Sequence, residues 1–124
     1  MIKFYFIILL LLCFSCSKEN LTSSDCTQIT ASAKTYDEAT NIVELTDFKF
    51  VDDVDTSSSS WIRSADYYSC DGETGYFIYT TDKKKYIHEN LPLDVWNDFK
   101  NAESFGAFYN KNIKHRYRLI TNDE

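Results

Sequence analysis

His88 and His115 are the chain's only imidazoles, and an imidazole beside a carboxylate or a nucleophile is the usual device for moving protons near neutral pH. Neither lies in a recognisable serine or cysteine nucleophile motif. A hydrolase working through His88 and a nearby carboxylate is therefore the weakest chemistry on offer, and the chain is expected not to be an enzyme. Asp52, Asp53 and Asp55 suggest calcium, but the glycine and distal glutamate of a calcium-binding loop are missing, so a solvated linker is the better reading. Ser104, Gly106 and Asn110 are read structurally: serine caps a helix, glycine lets two backbones approach, and asparagine bonds across the turn, with a functional groove as the rarer alternative. Tyr67, Tyr68, Tyr76, Tyr79, Tyr86, Tyr109 and Tyr117 could stack on sugars or bases, although alternation along strands sends about half of them into a core. Lys111, Lys114, His115 and Arg118 form a basic helix face. No cofactor motif is present, and cysteines without paired histidines argue against zinc.

The four cysteines bear on location. Lys3 precedes an apolar run, Phe4 to Leu12, that continues without charge to Lys18. The run is shorter than the roughly 20 residues that cross a bilayer, which is the plan of a cleaved signal peptide. Cys13-Phe14-Ser15-Cys16 then looks like a bacterial lipobox, although Cys13 and Phe14 stand where leucine and a smaller residue are usual. The resemblance implies removal of residues 1–15, acylation of Cys16 (palmitate among the acyl chains), and a lipid-anchored protein of the cell envelope, at the outer membrane. Cys26 and Cys70 then remain as a pair in an oxidising compartment. A bridge between them would be worth roughly 2 to 4 kcal/mol in the chain-entropy model; the alternative is two thiols that never meet.

The mature chain is expected to carry one domain. Residues 16–58 hold three basic and nine acidic side chains, whereas residues 59–118 hold nine and eight, so the acidity belongs to the stalk. Residues 16–58 read as an acidic tether too poor in apolar side chains to bury a core, with a short element of undecided type able to dock at 36–51. Residues 119–124 are an acidic tail. Three strands are expected at Trp61–Tyr68, Tyr76–Thr81 and Lys85–His88, joined by turns at 69–75 and 82–84, in a sheet packed on one face. Pro92 opens a helix as its first residue, with Val95, Trp96, Phe99 and Ala102 on one arc. Ser104 to Gly106 breaks it, and a second helix sets Phe105, Tyr109, Ile113 and Tyr117 along one side. The expected fold class is α+β: a small three-stranded antiparallel meander followed by two short helices.

Ser59-Ser60-Trp61-Ile62, Tyr67, Tyr86-Ile87-His88, the Pro92 turn, Ala102-Glu103-Ser104-Phe105-Gly106, Phe108-Tyr109-Asn110, Ile113-Lys114 and Tyr117 follow one another in this order. Together they resemble the KTSC domain, a module of about 60 residues found at the C-terminus of some lysyl-tRNA synthetases and as a stand-alone bacterial protein. The resemblance covers residues 59 to about 117. His88 replaces the second tyrosine of that family's central Tyr-x-Tyr motif, which makes a buried side chain with a backbone partner a better reading of His88 than proton transfer. The family's company with a tRNA synthetase implies RNA binding, but a domain of net charge +1 lacks the strong basic footprint expected of a polyanion binder. The expected function is thus a non-enzymatic binding or adaptor module for a protein or envelope polysaccharide, with RNA as the alternative. Its candidate residues are Tyr86, His88, Ser104, Gly106, Asn110, Lys111, Lys114 and Tyr117.

Overall fold

A computed structural model describes residues 29–117. The expected signal peptide, Cys16, Cys26, Arg118 and the acidic tail lie outside the described residues. The elements in chain order are α1 (Tyr36–Leu45), β1 (Phe50–Val54), β2 (Ser64–Ser69), β3 (Thr74–Thr80), β4 (Lys85–Pro92), α2 (Leu93–Lys100) and α3 (Phe105–Asn112). The sheet is a four-stranded antiparallel meander in the order β1-β2-β3-β4. The α+β class holds, with a fourth strand and a third helix that the sequence reading did not separate.

The helix α1 begins where Thr35 accepts a bond from the Glu38 N–H (3.2 Å) while the Glu38 carboxylate accepts one from the Lys34 N–H (2.8 Å). This is close to a capping box, displaced by one residue on the return arm. Ala39, Thr40 and Val43 are buried, and their small side chains let the helix lie against the sheet with Tyr76, Ile78 and Ile87. Both faces of the sheet are therefore covered, not one. β3 shows this directly: Tyr76 and Ile78 face α1, Phe77 and Tyr79 face α2 and α3, and all four are buried.

Residues 50–54, expected as linker and element end, form β1, paired from Phe50↔Ser69 to Val54↔Ala65. The acidic stretch reads as a linker because an edge strand needs little apolar content, its pairing being made by backbone. Asp52 also has partners: it accepts bonds from the buried Trp96 indole N–H (2.8 Å) and from Lys100 Nζ (2.7 Å). Lys100 first, then Trp96, holds its carboxyl below the ordinary value.

Three boundaries differ from expectation for local reasons. In the β2–β3 turn the Asp71 carboxylate accepts the Glu73 and Thr74 N–H groups (2.8 and 3.0 Å), and Gly72 takes φ +72 under the Phe50 ring, a conformation that favours glycine. β4 runs on to Pro92 because Glu89-Asn90 forms a bulge opposite Tyr76, with Asn90 at φ 57. The bulge rephases the strand, so that Leu91 as well as His88 turns inward. Pro92 is the N-cap of α2 and not its first residue, so the helix starts one residue later than expected, and the proline's extended backbone is still paired to Thr74. The last helix stops at Asn112, and turns carry the chain through Ile113 to Tyr117.

Candidate functional site

The free edge of β4 and the end of α3 enclose a cleft of about 410 Å³ lined by Tyr36, Tyr79, Tyr86, Ile87, His88, Tyr109, Lys114 and His115. Strand pairing positions its floor. Tyr79 and Tyr86 are cross-strand partners, and their rings stack at 4.9 Å with planes 10° apart. His88 lies nearly parallel to Tyr79, at 12°. Tyr109 comes from α3 and closes on Tyr79 at 4.6 Å between centroids.

A hydrogen-bond chain runs beneath these rings. His88 Nδ1 is 2.9 Å from the Tyr117 carbonyl, and His88 Nε2 is 2.9 Å from the Tyr109 hydroxyl. A carbonyl only accepts, so Nδ1 carries the proton and donates it. In the neutral ring Nε2 must then accept from Tyr109 O–H. The Tyr109 oxygen in turn accepts from Tyr79 O–H at 2.9 Å. Every proton in the chain has one acceptor, and the series ends on a backbone carbonyl.

Burial governs the titration of this group. It pushes the His88 pKa down, opposed by the Tyr117 carbonyl, and it pushes the phenols of Tyr79 and Tyr109 up. His88 is therefore neutral at pH 7. No carboxylate lines the cleft, and both ring nitrogens of His88 are engaged, so His88 itself is not free to act as a general base. The arrangement is suited to holding a ligand against aromatic faces.

The two lysines at this cleft, Lys114 in its lining and Lys84 over Tyr86, are not consumed by ion pairs. Among the described residues Lys85 pairs with Glu44, Arg63 with Asp82 and Lys100 with Asp52; Lys83, Lys84, Lys111, Lys114 and Arg116 are in no ion pair. Lys84 Nζ lies over the Tyr86 ring, 4.7 Å from its centroid.

A second cleft, about 450 Å³, is lined by Ser58, Ser59, Ser60, Trp61, Glu103, Ser104, Phe105, Gly106, Ala107 and Asn110. Ser104 is the N-cap of α3 and accepts from Ala107 N–H at 3.2 Å. The close approach at Gly106 is made not by a second backbone but by the Trp61 indole, into which a Cβ at this position would run. Asn110 is exposed at the rim.

The fold thus separates the sequence candidates into two groups. Tyr86, His88, Lys114 and the Tyr117 carbonyl meet at the β4 edge, while Ser104, Gly106 and Asn110 meet at the other cleft; Lys111 is exposed and lines neither. Cys70 lies half-buried just past β2, and its expected partner Cys26 is outside the described residues. The reading missed Tyr36, Tyr79 and Tyr109 as a group. The register pairing Tyr79 with Tyr86 and the helical spacing of Tyr109 were available, but nothing local announces that α1 reaches the same edge. Among the described residues no cluster of three or more His, Cys, Asp or Glu could hold a metal, and no helix is long and apolar enough to cross a membrane.

No curated protein and no solved structure matches the chain. The KTSC domain family matches residues 58–117, the stretch that contains β2 to β4, α2, α3, the second cleft and every lining residue of the first except Tyr36. The chain therefore carries a KTSC domain at residues 58–117, preceded by α1 and β1, which cover and extend its sheet.

Proposed function

We propose that the chain is a membrane-anchored lipoprotein of the bacterial envelope whose KTSC domain is a non-enzymatic binding or adaptor module for a protein or an envelope polysaccharide. The observation that carries the binding reading is the β4-edge cleft, where phenol rings and an uncommitted lysine surround a group, Tyr79, Tyr109 and His88, whose hydrogen bonds are already made to one another and to the Tyr117 carbonyl. Such a site offers recognition surface, and its one buried imidazole is committed to structure. The anchor rests on the Cys13-Phe14-Ser15-Cys16 sequence and the bridge on the Cys26 and Cys70 that remain beside it.

Two experiments test the reading. Intact mass of the membrane fraction, compared between wild type and Cys16→Ser with and without reduction, should show an acylated chain beginning at Cys16 that gains two protons on reduction. A chain still beginning at Met1 without acyl mass removes the anchor. For the module, a photo-crosslinking residue at Lys114 should give a discrete adduct in intact envelopes and one at Asp98, on an exposed part of α2, should not. Equal or absent adducts at both positions refute the β4 edge as the binding surface.

A second reading, RNA binding, is favoured by Lys84 and Lys114 beside the tyrosines of the cleft. It predicts affinity for RNA that falls steeply with salt, and no binding at low salt removes it.

A further inference from the structure

The charge and the shape of the β4-edge cleft narrow what it can hold. Four of its eight lining residues are tyrosines and two are histidines, so most of its lining is aromatic. Tyr79, Tyr86 and His88 lie nearly parallel, which makes that wall flat. Tyr79 covers one face of Tyr86, and over the other lies the Lys84 ammonium, the end of an exposed arm in no ion pair. That face can be vacated by a side-chain rotation.

The hydrogen-bonded group of Tyr79, Tyr109 and His88 has no hydrogen to give. The hydroxyl hydrogen of Tyr79 is spent on Tyr109 and that of Tyr109 on His88, so these three residues present rings and not donors. Donors to an anion come from the rim, where Lys114 is the one permanently charged lining residue and no carboxylate opposes it. One fixed cation beside a flat aromatic wall matches a single negative charge attached to a planar ring. A cationic ligand would meet Lys114 and the neighbouring Lys84, and a multiply charged one would find too few donors within the cleft.

We infer that the β4-edge cleft binds a planar-ring monocarboxylate, its ring laid on the outer face of Tyr86 and its carboxylate against Lys114. This rests on the reading of the domain as a binding module and adds the chemical class of what it recognises. Tyr36 belongs to the site although it comes from α1, ahead of the KTSC match, so the pocket is completed by a part of the chain outside that domain.

The test uses the full chain in detergent, titrated with 2-naphthoate and followed by the ring-proton NMR signals of His115 and His88, which report on the cleft and not on the micelle. Saturable shifts are expected with 2-naphthoate. They should be weakened roughly tenfold, the low end for a hydrogen bond to a charged partner, in Lys114→Gln, with uncharged 2-naphthamide, and with the non-planar cyclohexanecarboxylate. Tyr86→Leu should weaken naphthoate as well, with a far-ultraviolet spectrum confirming that the sheet is intact; if that variant unfolds, Lys114→Gln and the two ligand controls still decide. No saturable shift with naphthoate, equal affinity for the amide, or an unaffected Lys114→Gln overturns the assignment. Adenosine monophosphate shifting the signals where naphthoate does not also overturns it, in favour of nucleotides. A crosslinked envelope partner at Lys114 with no naphthoate response would leave the module standing and remove only this ligand class.

Discussion

Tyr109→Phe deletes one oxygen and keeps the ring, so its cost measures the hydrogen-bond chain and not the packing. In the wild type the Tyr109 hydroxyl gives its proton to His88 Nε2 and accepts that of Tyr79. Without it two groups are orphaned, the Tyr79 O–H and the His88 acceptor, on residues only 4% and 7% exposed. Each unsatisfied buried group costs about 1 to 3 kcal/mol. Both residues line the cleft, which lets water recover part of the loss and places the expected total near the lower half of the range, about 2 to 3 kcal/mol. With a urea m-value on the order of 1 kcal/mol/M, the midpoint should fall by about 2 M. Tyr79→Phe is cheaper, roughly 1 kcal/mol, because Tyr109 still donates to His88 and loses only an incoming bond. The double variant leaves one orphan, His88 Nε2, and should be no less stable than Tyr109→Phe alone. The assay is urea denaturation followed by circular dichroism at pH 8, where His88 is neutral in both states. If the double variant instead costs the sum of the two singles, the Tyr79 to Tyr109 to His88 direction of donation is wrong.

Other consequences follow from the same geometry. Burial lowers the His88 pKa in the folded state, so the unfolded chain binds the extra proton first as pH falls through about 6.5, and His88's contribution to stability should be full above that pH and decline below it. Asp66 and Glu89, whose pKa values are raised mainly by burial, act in the opposite sense at lower pH, so the measurement is the stability difference between wild type and His88→Gln from pH 8 to 5. A difference that does not change across that range refutes the burial argument. Asp52→Ala should cost about 1 to 2 kcal/mol by orphaning the Trp96 indole N–H, while Asp52→Asn, which keeps an acceptor, should cost less than half of that in the same urea assay. The Lys100 pair itself is partly exposed and contributes little. Gly106→Ala drives a methyl into the Trp61 indole and should destabilise by about 1 to 3 kcal/mol; Trp61→Phe in the same background should restore part of the loss, and no restoration would show that the ring is not the obstacle.

Much of the fold was legible because its signals are local. The aromatic and β-branched runs of β2 to β4 could not be helices, the arc of Trp96 and Phe99 could only bury one face of α2, and Ser104 before Phe105 is a cap before an apolar turn. The KTSC segments lie in these same pieces, which is why the resemblance could be stated from order and spacing. The expected partner of His88 was a backbone group, and the Tyr117 carbonyl is one; that it comes from 29 residues downstream was not legible.

The sequence by itself determined the α+β class, the KTSC domain of residues 58–117 and the amphipathic faces of its helices, because each depends on neighbours within a turn or a strand pair. Tertiary structure alone decided that α1 closes the second face of the sheet, that Asp52 meets Trp96 and Lys100, and that Tyr36, Tyr79, Tyr86, Tyr109 and His88 share one cleft. The reason is physical: a short acidic helix with Ala39 and Val43 as its buried apolar contacts, and a strand of five residues that holds two aspartates, Asp52 and Asp53, carry too little hydrophobic signal of their own. Their positions are set by the long-range burial they complete.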